Sequence, residues 1–277
     1  MNGEMLKALR ARAVDVRKDV VRMVGMAKSG HLASSLSLVD LLVYLYEREL
    51  RLRAAEPQWP ERDRFILSKR NGAPALYTVL AHGGFFPREE LWNFRSLGAI
   101  LQHRPEWRRT PGIDGPSGSP GLGLGLAGGL ALGLVKKGCA SRVFCLLGDS
   151  ELETGTVWAS IAMASRFALA NLVALVDCNV AEGERLQTRA GERAFQAFGW
   201  TVAHVDGHSF ADMEEVFGGL SAERSGPAAL FVRTCLGKGV TFFEEGRWPR
   251  STVAPGRDDV DRALGELNGL DGAEDGR

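Results

Sequence analysis

Apolar residues recur at spacings of three and four over residues 4–28, where Leu6, Leu9, Ala13, Val16, Val20 and Val24 share one side. That pattern predicts an amphipathic helix. Ser29-Gly30-His31 breaks it, and Ser37 fits an N-cap for a second helix running to about Leu50. Beyond a polar, Pro-containing loop over 51–62, Arg64 to Leu67 is a strand candidate. Pro74 to His82 predicts a helix with proline in its first turn. Ser96 to Gly118 is rich in Arg, Pro and Gly and too polar for core. An irregular stretch of that length inside a compact domain points to function or mobility. Gly121 to Lys137 predicts a small-residue helix that allows close backbone approach.

Downstream, the apolar runs Val143 to Leu147 and Leu172 to Val176 frame a helix-length segment. Two further units follow, helix 190–198 with strand 200–205 and helix 210–221 with strand 228–233. Short apolar runs alternating with helical segments suggest parallel strands joined by crossover helices. The expected fold class is α/β, a three-layer α/β/α sandwich with a mostly parallel central sheet. No internal repeat or linker stands out, so residues 1–260 read as a single domain. Residues 261–277 read as a charged, Gly-containing tail, partly disordered.

The strand ends carry the chemistry. The first of the two runs closes on Gly148-Asp149-Ser150 and the second on Asp177-Cys178-Asn179. Asp149 and Asn179 are thereby expected at the carboxyl ends of two strands, where open α/β sheets bind ligands. A carboxylate and an amide oxygen there form a hard-oxygen site suited to Mg²⁺ carrying a diphosphate. A turn followed by an Asn cap reads equally well from this spacing alone.

Composition narrows the classes. The chain has 277 residues, 45% hydrophobic and 25% charged, which fits a globular protein. Formal net charge is zero with no block of like charges, which gives no support for nucleic acid or an anionic membrane as partner. The four cysteines, Cys139, Cys145, Cys178 and Cys235, show neither a CxxC nor metal-ligand spacing. Charges run through the first helix with no apolar leader region, and Gly115 to Val135 is too broken by Gly and Pro to span a membrane. The expected compartment is the cytoplasm.

Several ordered blocks now resemble one family. Ser29-Gly30-His31 with Leu36-Ser37 and Asp40-Leu41 resembles the SGH…LS..D.L block of transketolases. Arg64-Phe65-Ile66-Leu67-Ser68-Lys69 with Ala73-Pro74-Ala75-Leu76-Tyr77 resembles their RFILSKGH.APALY block. Thr110-Pro111-Gly112-Ile113 and Ser117-Gly118-Ser119-Pro120-Gly121-Leu122-Gly123 resemble TPG(V/I) and TGSLGQG. Leu236-Gly237-Lys238-Gly239-Val240 resembles the late KGKGV block. Gly148-Asp149 and Asn179 resemble the thiamine diphosphate motif, Gly-Asp-Gly followed about thirty residues later by Asn. The matches run from about residue 10 to 250, so the chain resembles the first, diphosphate-binding subunit of a split transketolase.

The resemblance implies thiamine diphosphate and Mg²⁺ (or Mn²⁺ or Ca²⁺) as cofactors. It implies metal ligation by the side chains of Asp149 and Asn179 and by the carbonyl of Ala181. Gly148 and Ser150 would lie against the diphosphate and Gly118 near the aminopyrimidine, with Asn71, Ser119, Pro120 and Glu151 as further cofactor contacts. His31 would face the reacting carbon, with His103 and Arg104 beside it as catalytic candidates. The implied partner is a C-terminal, pyrimidine-binding subunit in an α2β2 assembly, and the implied donor is a ketose, a 2-oxo acid or a related small molecule.

The departures fall on residues that matter. Asn71 stands for the family's His in SKGH, Arg104 for that in QGHP, and Pro249 for that in the late W-H-G block. Leu122 replaces the Gln of GQG, and Thr154 and Ala159 replace two glutamates on the path between paired cofactors. Two enzyme-free or different-enzyme readings stay open: a catalytically decayed scaffold subunit, and a dinucleotide-binding oxidoreductase suggested by the GxGxxG in Gly123 to Gly128. The latter fingerprint must follow a strand directly.

Overall fold

The apolar runs do form the sheet. A computed structural model describes residues 1–179, 186–220, 224–246 and 255–272. In it β1 (Arg64–Leu67), β2 (Val143–Gly148), β3 (Leu172–Asn179), β4 (Thr201–Asp206) and β5 (Ala228–Thr234) lie in the order β1-β2-β3-β5-β4. Each pairing is parallel. The strands read as near-continuous apolar segments because both faces of the sheet are covered.

Alternate residues serve opposite layers. Phe65, Phe144, Leu146, Val173, Leu175, Leu230 and Val232 face a layer holding α1 (Gly3–Ala27), α2 (Leu32–Leu36), α3 (Val39–Tyr44) and α4 (Ala73–His82). Ile66, Cys145, Leu147, Ala174, Val176 and Phe231 face α5 (Leu122–Lys136), α6 (Gly155–Arg166) and α7 (Leu186–Ala197) on the other side. α8 (Phe210–Gly218), α9 (Thr241–Glu244) and α10 (Arg257–Gly272) return to the first layer. The α/β/α sandwich expected from the alternation is the observed fold.

Two expectations need correction. The helix predicted from Ser37 to Leu50 is α3 running into a π-helical turn over Leu45–Glu49, with the short α2 before it. Ser37 ends α2 instead of starting a helix, because its hydroxyl donates back to the Ser34 carbonyl at 2.9 Å. The charged tail expected from residue 261 is helical through Gly272, since α10 places Ala263 and Leu267 at full burial against α1. Its charges occupy the outward side, and the three-and-four spacing beneath them supplies the packing.

A buried ionic cluster ties the layers to the loop that follows β5. Asp40 accepts from Arg17 at 2.5 Å and from His208 Nδ1 at 2.8 Å, while His208 Nε2 accepts from the Cys235 amide at 2.8 Å. The ring is therefore neutral, with its proton on Nδ1. Burial alone would raise the Asp40 carboxyl, but the Arg17 charge and the His208 hydrogen bond hold it down at about 2. The Gly237 amide then donates to the Ala33 carbonyl at 3.0 Å, which fixes Leu236 at the edge of the site.

Candidate functional site

The carboxyl ends of β2 and β3 are neighbours in the sheet, Gly148 standing opposite Asp177. Around them opens a cavity of about 280 Å³. Among the residues singled out from the sequence, Asn71, Pro120, Gly148, Asp149, Ser150, Glu151 and Asn179 line it. Gly118 and Ser119 do not, and Ala181 lies outside the described residues, as does Pro249. Ser34, Ser68, Lys69, Arg70 and Leu236 also line it and were not anticipated. Ser68, Lys69 and Leu236 lie within the motif blocks quoted above, so their signal was available.

Asn179 sits at the last position of β3, opposite Thr234 in β5. Its Nδ2 donates to Thr234 Oγ1 at 2.7 Å, and Thr234 in turn donates to the wholly buried Asp177, which also pairs with Lys69. With the amide nitrogen committed inward, Oδ1 is the Asn179 atom left for a cation. Asp149, 8% exposed, follows directly on β2, and its Oδ1 accepts from the Ser150 amide at 2.7 Å. Among the described residues no three His, Cys, Asp or Glu side chains cluster as a metal site. A hard cation held here by Asp149 and Asn179 would complete its shell with ligand oxygens or water.

Glu151 does something the sequence did not disclose. One carboxylate oxygen accepts from Ser68 Oγ at 2.6 Å and from the Gly121 amide at 2.8 Å. The other accepts from the Gly148 amide at 2.8 Å. Both oxygens are thus engaged within the protein, and Glu151 braces three segments: the end of β1, the entry to α5 and the end of β2. The α5 entry needs its glycines. Gly121 has φ +81°, and a Cβ on Gly123 would stand 2.4 Å from that of Ser68. The GxGxxG glycines lie inside α5 after an irregular segment, not after a strand, so they form no dinucleotide fingerprint.

The catalytic candidates stand at the rim. His31 precedes α2, and its ring centroid lies 6.3 Å from that of His103. Ser35 Oγ lies 2.8 Å from the His31 carbonyl and 3.1 Å from that of Asn71, which joins the two segments. His103 and Arg104 are exposed and His31 is half-buried. Burial pushes the His31 pKa down, and the charges of His103, Arg70 and Arg95 push it further. His103 is lowered by burial and by Arg95, Arg104 and Arg70. Both imidazoles are therefore neutral near pH 7 and able to accept hydrogen bonds. Cys178, beside Asn179, has its thiol pushed far up by burial and by Asp177 and Asp149, so no thiolate nucleophile operates at this edge. Among the described residues no helix is long and apolar enough to cross a membrane.

Known proteins share this fold. The family profile described as "Transketolase, thiamine diphosphate binding domain" matches residues 3–271. Human transketolase is 36% identical over 248 residues, covering 87% of this chain and 39% of its own. A 6-deoxy-6-sulfo-D-fructose transketolase subunit, SqwG, of Clostridium sp. (strain MSTE9) is 33% identical over 241 residues, covering 85% of this chain and 88% of its own length. The crystal structure of Campylobacter jejuni transketolase superposes with a TM-score of 0.85 at 24% identity, over 97% of this chain and 43% of that one. The chain thus spans about two fifths of the transketolases it matches and nearly all of the separate subunit. The strand-end cavity, the parallel order of the sheet and these matches over almost every residue agree, and the chain belongs to the transketolase family, carrying its thiamine diphosphate binding domain.

Proposed function

We propose that this chain is the diphosphate-binding subunit of a two-chain, thiamine diphosphate-dependent transferase that moves a ketol or acyl group between small molecules. The observation that carries this reading is the cavity at the ends of β2 and β3, with Asp149 and Asn179 both on its wall. Asp149, Asn179 and, by the resemblance, Ala181 would hold Mg²⁺ or a similar divalent cation, and Gly148 and Ser150 would lie along the diphosphate. When bound, thiamine diphosphate supplies the carbon–carbon bond chemistry. The protein orients the cofactor through the Glu151 brace, and His31 and His103 accept or pass protons at the donor's oxygens.

A second chain carrying the pyrimidine-binding domain would complete the site, most simply as α2β2. The length match to a separate transketolase subunit supports that arrangement. Replacement of family histidines by Asn71 and Arg104 favours a second reading, a subunit that has lost catalysis. Calorimetric titration of the assembled complex with thiamine diphosphate and Mg²⁺ separates them: the enzyme binds the cofactor and turns over a donor, whereas the scaffold does neither. Full turnover by this chain alone would refute the need for a partner.

A further inference from the structure

Positive charge extends from the cofactor cavity out to the rim. Arg70 occupies the turn beside Asn71 and reaches the cavity wall. Arg95 donates to the Ser29 hydroxyl, two residues before His31. Arg104 follows His103 directly and is exposed. The charges of Arg70 and Arg95 act on both imidazoles of the His31–His103 pair and that of Arg104 on His103, the two rings standing 6.3 Å apart. The groups shifting the two imidazoles are all cationic or imidazole, and no carboxylate is among them. Arg95 and Arg104 are not among the residues lining the cavity, so a diphosphate held there does not meet them.

We propose that Arg70, Arg95 and Arg104 recognise a carboxylate carried by the donor next to its reacting carbonyl, which makes the donor a 2-oxo acid. This rests on the proposed function, in which His31 faces the reacting carbon. The guanidinium fork matches a planar carboxylate with two parallel hydrogen bonds. The charge adjoins the cofactor end of the site, because Arg70 shares a wall with Asp149 and Asn179. A phosphate at the far end of a sugar chain would sit away from it. Neutral His31 and His103 are left to hydrogen-bond the carbonyl oxygen while the arginines hold the carboxylate. In the transfer, the bond between carbonyl and carboxylate carbons breaks and the carboxylate leaves as carbon dioxide. Its bonding pair stays with the acyl carbon and forms the new bond to the acceptor carbonyl carbon, whose oxygen takes a proton. No oxidant is required.

The test is calorimetric titration of the two-chain complex, loaded with thiamine diphosphate and Mg²⁺, with three probes. These are oxamate (an unreactive 2-oxo acid analogue), neutral dihydroxyacetone, and fructose 6-phosphate with its distal anion. Oxamate should bind tightest, and Arg104→Ala and Arg70→Gly should each weaken it about tenfold. Arg104→Lys should recover part of the loss, and the affinity of Arg104→Ala for thiamine diphosphate should match wild type. Preference for fructose 6-phosphate, or oxamate binding unchanged in both variants, would overturn the assignment. Loss of thiamine diphosphate affinity in Arg70→Gly with oxamate binding intact would move that arginine to the cofactor. Failure of the wild-type complex to bind thiamine diphosphate would instead overturn the proposed function itself.

Discussion

The strand-end cradle and the rim above it come from distant parts of the sequence, and they are built on opposite terms. In the cradle, Asn179, Thr234, Asp177 and Lys69 form one chain of donors and acceptors and Glu151 a second with Ser68, Gly121 and Gly148, and the carboxylates are largely or wholly buried. At the rim, the neutral imidazoles of His31 and His103 are half-buried or exposed, and the charges acting on them come from Arg70, Arg95 and Arg104, with no carboxylate among them. In the cradle Asp149 and Asn179 match the family motif; Ser150 and Asn71 on its wall and Arg104 at the rim depart from it. Buried mutual satisfaction resists substitution, because removing one member strands the others. An exposed rim can change its charge at little cost in stability, which is where a shared fold can acquire a different substrate.

The comparison can be broken first at Asp149. Asp149→Ala should abolish retention of thiamine diphosphate and Mg²⁺, a loss on the order of 1000-fold in affinity, measured by calorimetry on the assembled complex. Wild-type affinity in that variant would show that the cradle does not work through this carboxylate. Glu151→Ala should act through the fold: three donors lose their acceptor, and urea unfolding should show a loss of about 3 kcal/mol. An unfolding midpoint equal to wild type would mean the brace is dispensable.

At the rim the effects should be smaller and fall on function. Restoring the family's imidazoles with Asn71→His and Arg104→His together should raise turnover of xylulose 5-phosphate with ribose 5-phosphate about tenfold. No gain would indicate that these positions do not set specificity. The smallest effect concerns pH. His31 and His103 titrate below 6.5 when folded, so the unfolded chain binds more protons in the window just beneath 6.5. Stability should therefore rise with pH through that window and fall as the medium is acidified. His31→Gln with His103→Gln should flatten the urea midpoint between pH 5.5 and 7.5, and an unflattened profile would place the titrating groups elsewhere.

The sequence disclosed the cradle better than its mechanics. Strand ends at Asp149 and Asn179 were legible because apolar runs stop sharply there and buried parallel strands need such runs. The bracing role of Glu151 was not, since Gly121, Ser68 and Gly148 are distant in sequence and their convergence depends on the packing of α5 against β1. The breaks within residues 32–49 were hidden for a similar reason. The apolar density of α3 continues past Tyr44, and only the wider π turn interrupts it. α10 was misread because charge and glycine dominate its composition, although Val260, Ala263, Leu264 and Leu267 keep helical spacing.

The balance of charge in the cradle has a consequence for how its ligands arrive. Asp149, Glu151 and the Asp177 beneath them are three carboxylates facing one lysine and one arginine, Lys69 and Arg70. A bare diphosphate entering that field meets net repulsion, and a divalent cation entering first meets attraction. Cation and diphosphate should consequently be thermodynamically linked, each raising the affinity of the other by the same factor. The same field ranks intruders: a free phosphate or nucleotide without its metal would be turned away, and chelation would empty the organic cofactor from a site whose protein contacts remain intact.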